Sequence, residues 1–159
     1  MTAAHVFSFV NLLAAAGWLI LIFLGPKYWA RGLVIGAILP LLLAALYSAL
    51  LITHWSDLQG GFGTLAGVQT LFSNEWILLA GWVHYLAFDL FIGCWEVRDA
   101  RDQRIPHLAV IPSLILTFLF GPAGLLLYFV IRTIRIRTLY VERGGREGAR
   151  SACLLSLDF

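Results

Sequence analysis

Charge is what this chain has least of. Lys, Arg, Asp and Glu make up 13% of its 159 residues against a hydrophobic share of 60%, roughly half the charge of an ordinary soluble domain, and the mean hydropathy is +0.86. A water-soluble enzyme is therefore excluded as a first reading. Cysteine is scarce too: Cys94 and Cys153 are too few and too far apart for a disulfide framework or a zinc site of their own. There is no nucleotide-binding loop, sustained repeat or low-complexity segment. The net charge of +2 comes from basic residues that stand beside apolar runs, so the expected partner is membrane lipid and not nucleic acid. At about 20 apolar residues per crossing, this length allows one small bundle and no separate catalytic domain.

What is present is a succession of apolar runs, which predicts an all-α fold: a small polytopic transmembrane helical bundle of four to five membrane segments. Val6 to Leu24 has no basic region before it and is longer than a signal-peptide core, so it reads as a retained helix ended by Gly25 and Pro26. Leu33 to Ile52 forms a second helix containing Pro40, followed by His54, Trp55 and Asp57. The glycine-rich DLQGGFGTLAGVQTLF suggests a short interfacial or re-entrant helix around Thr64 to Phe72. Ser73 and Asn74 are N-cap residues and Glu75 suits a first turn, so a third helix begins here and runs to about Trp95. The charged run from Glu96 to Arg104 reads as a solvated, salt-bridged turn.

The last apolar region, Ile105 to Ile131, is interrupted by FGPAG. As one span it would divide the basic residues evenly between the two sides. As a short hairpin turning at Gly121-Pro122 at the far interface, it places all eleven from Lys27 to Arg150 on one side, as the positive-inside tendency demands. Five segments are therefore preferred over four, with a proline-kinked last span as the alternative. The bundle occupies residues 1–137 and a basic cytoplasmic tail 138–159, and the arginine cluster that begins at Arg132 anchors at anionic headgroups. The N-terminus is then outside and the C-terminus cytoplasmic, in a bacterial inner membrane or a plastid membrane.

The third helix carries the chemistry. An ionised aspartate at the bilayer centre costs about 2.5 to 3.5 kcal/mol on insertion scales, so Asp89 must face a partner or a cavity or stay protonated. Glu75, Trp82, Asp89 and Glu96 recur every seven positions and make one stripe, with Tyr85 one turn before Asp89. His84 lies about 140° from Asp89 and shares its face with Phe88, Phe91 and Trp95, an aromatic wall suited to an elongated apolar ligand. The plainer alternatives are an interhelical hydrogen bond for His84, an Asp89 held by Tyr85 or Asn11, and tryptophans that simply populate the interfacial belts. His54, His84, His107 and the carboxylates lack metal-ligand spacing, so no metal site and no cofactor is expected.

NEWILLAGWVHYLAFDLFIGCW at 74 to 95, RD at 98 to 99, IP at 105 to 106 and LTFLFGPAGLLLY at 116 to 128 together resemble the plant abscisic-acid-deficient-4 (neoxanthin-synthase-associated) family and its bacterial relatives. The resemblance covers roughly residues 5 to 135, with Cys94 standing where a basic residue is expected. It implies an integral membrane protein connected with carotenoids, and in plants with neoxanthin formation from violaxanthin. Opening a carotenoid epoxide to an allenic alcohol is an isomerisation that needs an acid and a base and no redox cofactor. Asp89, kept protonated by an apolar site, would be the acid, Tyr85 its orienting group and His84 the base. Trp82, Phe88, Phe91 and Trp95, with Glu75 and Asn11, would line the carotenoid. Two rival expectations are a non-catalytic carotenoid-binding or scaffold subunit, in a homo-oligomer or a pigment–protein complex, and a small proton-coupled transporter.

Overall fold

The computed structural model describes residues 2–24 and 38–136, so the tail 138–159, together with Lys27, Trp29, Arg31 and Cys153, lies outside the described residues. Among the described residues every regular element is helical. Six α-helices follow one another: α1 (Ala3–Leu19), prolonged by a π-helical turn over Ile20–Leu24, α2 (Ile38–Thr53), the short α3 (Leu65–Leu71), α4 (Glu75–Asp102), α5 (His107–Phe120) and α6 (Pro122–Ile136). Two stretches, Ala3–Leu24 and Glu75–Asp102, are long and apolar enough to cross a membrane, and α2 and α5 are apolar but shorter.

Local chemistry sets the starts. The Asn74 side chain accepts from the backbone N–H groups of Trp76 and Ile77, at 2.9 and 3.4 Å, and so satisfies donors that the first turn of α4 leaves open. Thr64 does the same for α3 by accepting from Gly67 N at 3.0 Å.

The end of α4 departs from expectation. The run from Glu96 onward is helix and not a solvated turn, because no glycine or proline interrupts it before Pro106 and because Glu96, Val97, Asp99 and Ala100 are buried against other helices. The helix stops at a Schellman motif: Arg104 takes a positive φ of 58°, Ile105 N bonds Ala100 O at 2.7 Å, and Pro106 blocks continuation.

α1 runs parallel to α4, Gly17 lying against Leu90 and Trp18 against Gly93, and α2 runs antiparallel to it. Ala3 and Ala4 lie near Glu75, the His54 ring stacks on Trp76 at 4.7 Å, and Pro40 and Leu41 flank Phe88 and Phe91. Val10, Trp18, Leu21, Leu43, Val83, Leu90, Val110 and Leu114 form a core closed to solvent.

The C-terminal pair is a tight helical hairpin. Gly121 turns the chain with φ +47°, and the small Gly124 lets α6 press directly on the backbone of Thr117. The height of this turn corrects the sequence reading. A Cβ at Gly121 would lie 2.8 Å from Asp89 Oδ1, and Asp89 sits about 21 Å along α4 from Glu75. The tip is thus level with the middle of α4 and not with its far end. Arms of 14 and 15 residues rise only about 21 and 22 Å, short of a hydrocarbon layer of about 30 Å.

Candidate functional site

α4 presents two separate faces. On the first lie Glu75, Leu78, Trp82, Tyr85 and Asp89, spaced at three and four residues and so aligned in one stripe. Trp82 donates its indole N–H to Asn11 Oδ1 at 3.0 Å, while Asn11 donates from Nδ2 to Phe7 O at 2.8 Å. The Trp82 ring lies 5.7 Å from Phe7 and 5.4 Å from Tyr85. Asn11 therefore holds Trp82 and not Asp89, because its amide sits more than a turn nearer the Glu75 end. Tyr85 is the residue within electrostatic reach of Asp89. Asp89 itself is 8% exposed, and its Oδ2 has no hydrogen-bond partner among the described residues. Beside Glu75 and Trp82, a cleft of about 580 Å³ opens between α1 and α4.

The second face looks toward α2. The His84 ring lies 5.4 Å from Tyr47 and 4.6 Å from Phe88. A cleft of about 400 Å³ lined by Tyr47, Trp55, Phe62, Phe72 and His84 is followed by one of about 210 Å³ lined by Pro40, Leu41, Phe88 and Phe91. Ile77, Gly81, His84, Phe88 and Phe91 mark one continuous line along α4, about 21 Å long, with Phe88 and Phe91 respectively 58% and 49% exposed. Trp95 does not join this wall. Its ring packs on Tyr128 and Phe129 of α6, because at that height the neighbour is the hairpin and not α2.

Phe72 lines both the α1-side and the α2-side cleft and sets its ring against Gly81, where an added Cβ would meet its Cε1 at 2.5 Å. Gly81→Ala is expected to displace this ring and enlarge both clefts. A spin label or a fluorescent apolar probe in either cleft would report the change, and an unaltered probe signal would contradict it.

The structure thus brings Trp82, Tyr85 and Asp89 to one side of α4 and His84, Phe88 and Phe91 to the other. His84 borders the open α2-side cleft, whereas Asp89 packs against the Gly121 turn.

A third group was legible in the sequence only through Glu96, the last member of the seven-residue stripe. Glu96 is fully buried and accepts from Thr117 Oγ1 at 2.9 Å, with its Oε2 unpartnered among the described residues. Asp99 Oδ2 accepts from Tyr128 Oη at 2.6 Å and from Arg132 Nε at 2.8 Å. Ser113, Thr117, Tyr128 and Arg132 are all at 0% exposure. A signal for this seam existed: Ser113 and Thr117, then Tyr128 and Arg132, are spaced by one turn, as Glu96 and Asp99 nearly are, so each helix shows a polar pair on one face of an otherwise apolar surface. Arg132, expected among the headgroup anchors, instead points inward to this partner. Elsewhere His54 pairs with Asp57 at 2.9 Å and His107 Nε2 bonds Ile22 O at 2.8 Å. Among the described residues no group of three His, Cys, Asp or Glu side chains converges.

With this geometry in view, the family model described as ABA DEFICIENT 4-like matches residues 5–128, which takes in α1 to α5 and the start of α6. The chain is 30% identical over 102 residues to Protein ABA DEFICIENT 4, chloroplastic, of Arabidopsis thaliana. That alignment covers 59% of this chain and 45% of the relative, so the chain spans less than half the length of that protein. No solved structure matches.

Proposed function

We propose that this chain, which belongs to the ABA DEFICIENT 4-like family, is an integral membrane protein of carotenoid metabolism that holds a carotenoid along the seam between α2 and α4. The observation that carries the reading is the line from Ile77 to Phe91 on α4, along which two apolar clefts follow one another, with His84 in the first and the exposed Phe88 and Phe91 in the second. Apolar pockets with few polar groups take apolar ligands, and the polar group fixes their register. His84 is that group, able to offer one N–H and one lone pair to an oxygen on the ligand.

The membrane reading rests on Ala3–Leu24 and Glu75–Asp102 as crossing helices. α2 crosses between them, and the α5–α6 hairpin dips halfway in. The described arginines 98, 101, 104, 132 and 135 all lie toward the end of α4 from which the hairpin enters, which supports reading that end as the cytoplasmic one. Isomerising an epoxide by acid and base would need Asp89 and His84 in one pocket. Their separation favours binding over turnover by that pair.

In a carotenoid-producing host, the protein purified in mild detergent is expected to carry the three-peaked polyene absorption band. Phe88→Ala combined with Phe91→Ala should lower retained pigment at least tenfold, about 1.4 kcal/mol of affinity, whereas Leu126→Ala on the outward face of α6 should leave it unchanged. Colourless wild-type protein from a pigmented host would refute the reading. One observation favours a second reading: half-helices that end at mid-depth beside a buried carboxylate build ion sites in transporters, and the hairpin tip abuts Asp89 in this way. Ion or proton flux in liposomes that is lost in Asp89→Asn would support it.

A further inference from the structure

The cleft between α1 and α4 lies beside the proposed carotenoid seam, and Phe72 and Gly81 form the wall the two share. Its walls are Ala3, Phe7, Phe72, Leu78 and Trp82, and its single charged group is Glu75. Any apolar face in a bilayer is covered by acyl chains, so apolarity alone does not make a site. Two features set this cleft apart. It is concave, about 580 Å³, with a wall already held in place because Trp82 is tied to Asn11 at 3.0 Å; a preformed wall spares a ligand the entropy of ordering it. It also has a carboxylate at its rim that makes no hydrogen bond or ion pair among the described residues.

Charge at this end of the bundle is otherwise settled internally. His54 and Asp57 pair with each other, and His5 bonds Thr2. The described arginines stand toward the opposite end of α4. Among the described residues no lysine or arginine stands on this side, so Glu75 is a carboxylate without a charged partner there, at the mouth of an apolar slot.

We propose that this cleft is a lipid site selective for an amphiphile with a primary ammonium headgroup, one acyl chain lying along Phe7 and Trp82 and the ammonium on Glu75. An N–H-bearing ammonium makes a charge-assisted hydrogen bond to a carboxylate. A quaternary choline has no N–H to give, and an anionic glycerol headgroup is repelled. The proposal rests on the membrane reading of the preceding subsection and is independent of the pigment.

The test reconstitutes the full chain in nanodiscs containing equal parts of phosphatidylethanolamine, phosphatidylcholine, phosphatidylglycerol and a digalactosyl lipid. The protein is then extracted in mild detergent and the retained lipid is read by mass spectrometry. Phosphatidylethanolamine is expected to be enriched threefold or more over its share in the disc. Glu75→Gln should abolish the enrichment without moving the thermal unfolding midpoint, Glu75→Lys should turn the preference toward phosphatidylglycerol, and Trp82→Ala should lower retention of every headgroup class. Equal profiles for wild type and Glu75→Gln, enrichment of the sugar lipid or the anionic lipid in wild type, or no retained lipid would each overturn the proposal. A chain that stays dispersed in buffer without detergent or lipid would overturn the membrane reading itself.

Discussion

A chain carrying Gly124→Ala fails to close its C-terminal hairpin. The added methyl would lie 2.0 Å from Thr117 N and 2.4 Å from Thr117 Cα. These are backbone atoms of a helix, so no rotamer change relieves the overlap and the two helices must move apart. The movement also takes Thr117 Oγ1 from Glu96 and loosens α6 at the level of Tyr128. Overpacking a rigid contact typically costs 1–3 kcal/mol, and the loss of a buried hydrogen bond adds to it, so a destabilisation of about 3 kcal/mol or more is expected. Thermal unfolding in detergent, with protease sensitivity between residues 105 and 136, measures it. Gly63→Ala, where an added methyl meets nothing within 4 Å, should stay within about 0.5 kcal/mol of wild type. Equal midpoints for the two variants would show that the close approach at Gly124 does not hold the hairpin.

The second large effect belongs to Asp99. Its carboxylate is 6% exposed and faces Arg132 at 0%. Asp99→Asn keeps the shape but leaves a guanidinium charge inside the bundle without that carboxylate, and breaking such a pair from one side costs about 3–5 kcal/mol. Replacing both partners, as Asp99→Asn with Arg132→Met, removes the buried charge together with its carboxylate and should recover a substantial part of the loss. A double-mutant cycle on the unfolding midpoint reads the coupling directly. If the double variant is as unstable as the sum of the singles, the two residues do not act as a pair.

These two predictions fall on the region that was hardest to read beforehand. Periodicity placed His84, Phe88 and Phe91 on one face and Asp89 and Glu96 on another, and those groupings follow directly from 3.6 residues per turn. It could not say which neighbour reaches a given height. Trp95 is three turns from His84 and points the same way, yet it meets α6 where His84 meets α2. The same gap concealed the depth of the hairpin: counting basic residues yields the same answer whether the turn at Gly121 lies halfway or all the way across, since both ends of the loop return to one side. Glu96 and Asp99 looked like a solvated turn because their neighbours Arg98 and Arg101 are exposed, and their true partners are 21 and 33 residues away. The Asn74 cap was legible because its chemistry is local.

Among the described residues the hairpin touches elements that precede it in the chain: α4 along the polar seam, the Ile20–Leu24 turn through His107, and α1 where Trp18 meets Phe118. Synthesis proceeds from the N-terminus, so these receiving surfaces are complete before residue 105 leaves the ribosome. Arg132 can then dock directly onto a waiting carboxylate without first being exposed alone to hydrocarbon, and the order of emergence does for this guanidinium what a chaperone would otherwise have to do.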